Sequence, residues 1–120
     1  MPDLRMSDML IVQKELWERH KDEWSPMEPQ YARNHLLWMI EELGEAIAII
    51  KKRGEAEIMS DAEVRAAFVE ELVDVHMYFN EVLLRYGISA AEFSAAYLSK
   101  HEKNMKRDYK NERKYFIPPK

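Results

Sequence analysis

No proline interrupts the chain between Pro29 and Pro118, and only three glycines occur, Gly44, Gly54 and Gly87. Proline and glycine are the residues that most readily stop a helix. A middle section this poor in both predicts a few long helices, and no run of alternating polar and apolar residues argues for a strand. The first helix is expected over about Ser7 to Trp24, and "SPMEPQ" (25–30) is a proline-punctuated connection. The second covers Tyr31 to Arg53 and stops at Gly54. "SDAE" (60–63) has the form of a capping box and opens a third helix ending near Tyr86 and Gly87. "SAAE" (89–92) opens a fourth, reaching about Arg107. The expected fold is all-α, an antiparallel four-helix bundle forming a single domain over 1–120. The tail "YKNERKYFIPPK" either packs on a neighbour or stays loose.

Composition narrows the function. The hydrophobic fraction of 47% supports one real core in 120 residues. A net charge of -4 gives no basic footprint for a nucleic-acid polymer, so any nucleotide partner is a small molecule. Cysteine is absent, which removes disulfides and thiolate metal sites. No apolar run approaches a membrane span and the N-terminus lacks a signal-peptide core, so a cytoplasmic location is expected.

Acidic residues break the apolar pattern of both central helices. In "HLLWMIEELGEAIAIIKK" (35–52), Leu36, Ile40, Leu43 and Ile47 form one stripe, expected to be the core face. Glu42 and Glu45 lie roughly opposite, bracketed by Trp38 and Ile49, so this helix is expected to bury two sides. From Phe68 to Leu84, eleven of seventeen residues are apolar or aromatic and spread almost all round, the mark of a buried helix. Glu71 and Asp74 nevertheless sit there on one face, with Tyr78 continuing the line. Buried carboxylates are costly unless paired or metal-bound, and these helices offer few inward-looking cations. An all-carboxylate cluster suits Mg²⁺, with Mn²⁺ as a substitute. A ferritin-like di-iron site would need Glu-x-x-His pairs; His76 lies two residues past Asp74, and the pattern fails. His20, His35, His76 and His101 form no metal spacing, and the eight methionines suit gap filling.

The order Glu41-Glu42-x-x-Glu45, 25 intervening residues, then Glu71-x-x-Asp74 resembles the all-α NTP pyrophosphatase superfamily. That superfamily includes MazG-type nucleotide pyrophosphohydrolases, dimeric dUTPases and dCTP pyrophosphatases. The resemblance spans about 31–109 and is strongest to a short, single-domain MazG-like member. It implies Mg²⁺-dependent hydrolysis of a (d)NTP to the monophosphate and pyrophosphate, as house-cleaning of the nucleotide pool. It also implies that Glu42, Glu45, Glu71 and Asp74 hold metal and that Glu45 orients the attacking water. Glu41 and Glu70 match the accompanying acids, supporting the ligands or the chemistry.

"KHEKNMKRDY" (100–109) resembles the Lys…Asn…Arg element of dimeric dUTPases and nominates Lys100, Asn104 and Arg107 for the phosphates. Lys103 falls at a compatible helical spacing. Tyr78 and Trp38 would flank a base. Gln13 in "QKELW" matches the Gln of the dUTPase uracil-reading stretch, but Trp17 replaces its asparagine, which departs from dUTP specificity. Family habit and helices with two apolar sides imply a homodimer or homotetramer. The alternative reading is a metal- and nucleotide-binding bundle, or a protein-interaction bundle, without turnover.

Overall fold

The computed structural model describes residues 3–111, and all regular structure among them is helical. Four α-helices occur, α1 (Met6–His20), α2 (Ala32–Ser60), α3 (Ala62–Arg85) and α4 (Ala90–Lys106), with a 3₁₀ turn at Pro29–Tyr31 before α2. None is long and apolar enough to cross a membrane. The end of the C-terminal tail, residues 112–120, lies outside the described residues, as do Pro118 and Pro119.

The helices start and stop for local reasons. α1 ends at His20, four residues before the expected Trp24, because the chain turns back: the Trp24 N–H donates to the His20 carbonyl. The Trp17 indole then donates to the Ser25 carbonyl at 2.9 Å, holding the returning chain against its helix. α2 breaks at Gly54, whose φ of 79° and ψ of 160° only glycine adopts readily. A further helical segment, which the sequence reading did not anticipate, carries the chain from there to Ser60. The cap of α3 is Asp61, one residue later than the capping box suggested. Asp61 Oδ1 accepts the Glu63 and Val64 N–H groups, while the Ser60 hydroxyl donates back to the Ala56 carbonyl. α3 closes on a Schellman motif: Ile88 N–H donates to Leu83 O and Gly87 N–H to Leu84 O, with Gly87 at φ 66°.

The chain divides into two compact units, Met1–Ser89 and Ala90–Lys120. In the first, α2 and α3 pack as an antiparallel hairpin and α1 lies against α3. Their register is readable from pairs: His35 meets Glu81, Trp38 meets Tyr78, and Glu42 meets Asp74 and Glu71. Ala32 and Ala46 are buried along α2, and small residues there let a neighbouring helix approach closely. Leu10, Ile58, Val64, Val82 and Leu83 complete a thin core. The second unit contains α4, along which Phe93 and Tyr97 stand 6.4 Å apart.

The expected core face of α2 proves to be bare. Leu36, Ile40, Leu43 and Ile47 are exposed, Ile40 by 61%, and the acid-bearing side of the helix is the one that meets α3. α3 likewise is not buried all round, because Val69, Leu72, Val73 and Met77 remain exposed. Apolar periodicity locates a sticky face, but it does not say whether the same chain covers it.

Candidate functional site

The three carboxylates of Glu42, Glu71 and Asp74 converge between α2 and α3, each offering an oxygen within 4.8 Å of the others. Glu71 and Asp74 share a face because they are three apart on one helix, and the hairpin register sets Glu42 opposite them. Among the described residues none of the recorded ion pairs involves these acids. Glu42 is hydrogen-bonded to Glu71, and this bond is the main reason its pKa is pushed up to about 6; partial burial and the charges of Asp74, Glu71 and Glu45 add to it. Glu71 Oε2 is buried with no hydrogen-bond partner. An oxygen without a partner among like charges is electrostatically unfavourable by itself, and an all-oxygen donor set of this kind is chemically compatible with a hard divalent cation.

Glu45 stands one turn beyond Glu42, exposed and outside this three-residue group, although its charge is felt at Glu42. Glu41 and Glu70 are exposed as well. The structure thus brings together three of the four acids nominated as ligands.

A cavity of about 540 Å³ opens beside the cluster, within the size range of small-molecule sites. Glu42 and Asp74 line it, and the hairpin register builds the rest in steps of about one helical turn. One turn from the acids, the Trp38 and Tyr78 rings lie 6.1 Å apart at 54°. His35 stands edge-on to Trp38 at 5.0 Å. Burial and then the charges of Glu42, Asp74 and Glu41 hold the Tyr78 phenol above its ordinary pKa, so it stays a neutral donor. Leu16, Met77 and Trp24 supply apolar wall, with Trp24 stacked on His20 at 5.0 Å.

One more turn away lies a buried polar group that the sequence reading missed apart from Gln13. The Gln13 amide donates to Glu81 Oε1 at 2.9 Å, and Arg85 Nη2 stands 3.2 Å from Glu81 Oε2. Glu81 and Arg85 are each only 2% exposed. Arg85 also donates to the Ser25 and Pro26 carbonyls, fastening the loop that forms one cavity wall. His35 accompanies them, with Nδ1 against the Tyr31 carbonyl at 3.1 Å and Nε2 3.9 Å from Glu81. Burial lowers the His35 pKa, with Arg85 adding to the effect while the Tyr31 bond and Glu81 oppose it. The one signal in the sequence was Glu81 and Arg85 at spacing four inside an apolar helix. That cation is inward-looking, but it pairs with Glu81 and not with Glu42, Glu71 or Asp74.

Lys100, Asn104 and Arg107 belong to the second unit. Lys100 and Asn104 are on α4 and Arg107 directly follows it, with its guanidinium 5.2 Å from the centre of the Tyr109 ring.

Compared with protein-family models, curated proteins and solved structures, the chain matches none.

Proposed function

We propose that the chain is a Mg²⁺-dependent nucleoside triphosphate pyrophosphohydrolase, converting a (d)NTP and water to the (d)NMP and pyrophosphate. The observation that carries this reading is the convergence of Glu42, Glu71 and Asp74, two of which, Glu42 and Asp74, line a cavity together with Trp38 and Tyr78. Acids that can hold cations suit the phosphates, and aromatic rings one turn away suit the nucleoside.

Glu42, Glu71 and Asp74 would hold Mg²⁺, with Glu45 as a fourth ligand from its position one turn along α2. The bound ion would neutralise phosphate charge and raise the hydroxide character of a coordinated water. Glu45, exposed and beside the cluster, is the proposed group that orients the attacking water, with Glu41 in support. Trp38 and Tyr78 would flank the base and hold the substrate in line, which is most of what phosphoryl chemistry asks of a protein.

The bare stripe Leu36–Ile40–Leu43–Ile47 supports a homo-oligomer, because an unbroken apolar helix face is a common interaction surface. A second copy would pack its own α2–α3 hairpin on this stripe, giving a four-helix arrangement shared between two chains, unlike the single-chain bundle expected from the sequence.

The test is pyrophosphate release from a panel of standard and modified NTPs and dNTPs, with Mg²⁺, Mn²⁺ or EDTA. Metal-dependent release from one or a few of them is expected. Silence across the panel, with Mg²⁺ still raising the melting temperature, would leave a metal-binding helical module and end the enzymatic reading.

A further inference from the structure

Three buried side chains of the cavity wall, Gln13, His35 and Glu81, each present a hydrogen-bond acceptor. Glu81 is a carboxylate, and its Oε2 has no hydrogen-bond partner although the Arg85 guanidinium balances its charge. Gln13 must turn its NH₂ toward Glu81, because a carboxylate only accepts; its carbonyl oxygen is then left for the cavity. His35 must donate through Nδ1 to the Tyr31 carbonyl, and burial disfavours a second proton. Its Nε2 is then an acceptor as well. All three side chains are at least nine-tenths buried and line the cavity.

We infer that Gln13, His35 and Glu81 select a nucleobase carrying an exocyclic amino group and reject its deaminated, carbonyl-bearing counterpart. The inference rests on the nucleotide reading above and names the substrate class within it. An amino group brings two N–H donors to this row of acceptors. A carbonyl at the same ring position brings lone pairs against lone pairs and leaves buried acceptors unsatisfied, which costs more than the lost bond itself. Sites that hydrogen-bond a specific polar group discriminate far more strongly than sites that measure bulk. Trp38 and Tyr78 contact any base face and do not discriminate, so the choice falls to the polar row behind them.

The experiment is equilibrium binding of the full chain, by calorimetry with Mg²⁺, to α,β-imido nucleotides that cannot lose pyrophosphate. The probes are paired: dCTP with dUTP, dATP with dITP and dGTP with dXTP analogues. In every pair of which a member binds, the amino-bearing one should bind at least about tenfold tighter. Gln13→Met, which keeps the volume, and Glu81→Gln, which replaces one acceptor by a donor, should each reduce that ratio to within about threefold. Equal or reversed affinities in a binding pair overturn the amino selection while leaving the nucleotide site standing. A ratio unchanged in both variants overturns the assignment of these residues. Failure of every nucleotide to bind removes the nucleotide reading itself, and the inference with it.

Discussion

The carboxyl groups of Glu42 and Glu71 meet across the α2–α3 interface, and their hydrogen bond holds Glu42 protonated up to a pKa of about 6. Two acids that share a proton where helices cross are unstable company once both ionise. A divalent cation, as proposed, would relieve the conflict.

A pH dependence follows from that relationship. A carboxyl whose pKa is raised by folding stabilises the protein in its protonated form, so the benefit is present at low pH and is lost as pH rises through about 6. In EDTA, the melting temperature should fall between pH 5 and pH 7 as Glu42 ionises against Glu71, Asp74 and Glu45. With Mg²⁺ the trend should weaken or reverse, because the ion binds only the deprotonated cluster. A larger Mg²⁺-induced shift at pH 5 than at pH 7 would contradict this assignment.

Removing one ligand charge should end turnover without unfolding the chain. Asp74→Asn and Glu45→Gln are each expected to lower the rate of pyrophosphate release by at least about a hundredfold, since even groups that merely orient ligands can cost 10–100-fold. Helical content by circular dichroism should stay at the wild-type value. Near-normal activity in either variant would remove that residue from the metal site.

Arg85 and Glu81 form a buried pair whose members depend on one another. Arg85→Met would strand a carboxylate that is 2% exposed and free the Ser25–Pro26 loop. A loss of about 3–5 kcal/mol is expected by denaturant titration. A change below about 1 kcal/mol would mean that the pair is weak, as exposed ion pairs are.

Gly54 holds a conformation that side chains resist, with nothing within 4 Å of the position a Cβ would take. Gly54→Ala therefore isolates backbone strain from crowding, and a loss of about 1–3 kcal/mol is expected. An unchanged unfolding midpoint would show that the break in α2 relaxes freely.

The exposed stripe on α2 makes its own prediction. Ile40→Glu should convert an oligomer into a monomer, read by light scattering of the eluting peak, since a charge in the middle of an apolar interface is left unpaired. A wild-type chain that already elutes as a monomer would rule out the second copy.

The sequence made the helices legible because glycine and proline punctuate them, and Gly54 and Gly87 sit where α2 breaks and α3 ends. The Asp61 cap was missed by one position because Ser60 offers a matching pattern, and only the backbone decides between them. Glu42, Glu71 and Asp74 were legible because carboxylates inside apolar helices violate local expectation. Gln13 and Glu81 were a harder case: they meet across 68 positions of sequence, and no local period encodes that encounter. The exposure of Leu36, Ile40, Leu43 and Ile47 was hidden for a related reason, since an apolar stripe is written the same way whichever chain covers it.

Asp61 ends α2 with its backbone N–H on Glu57 and begins α3 with its side chain on Glu63 and Val64. One residue thus serves as the whole joint, and nothing is left to absorb a change of length. Inserting or deleting a single residue there would turn α3 by about 100°, swinging Glu71 and Asp74 away from Glu42. The convergence of the three carboxylates therefore depends on the length of the joint as much as on the acids themselves: substitutions at the joint can leave it standing, whereas a change of length cannot.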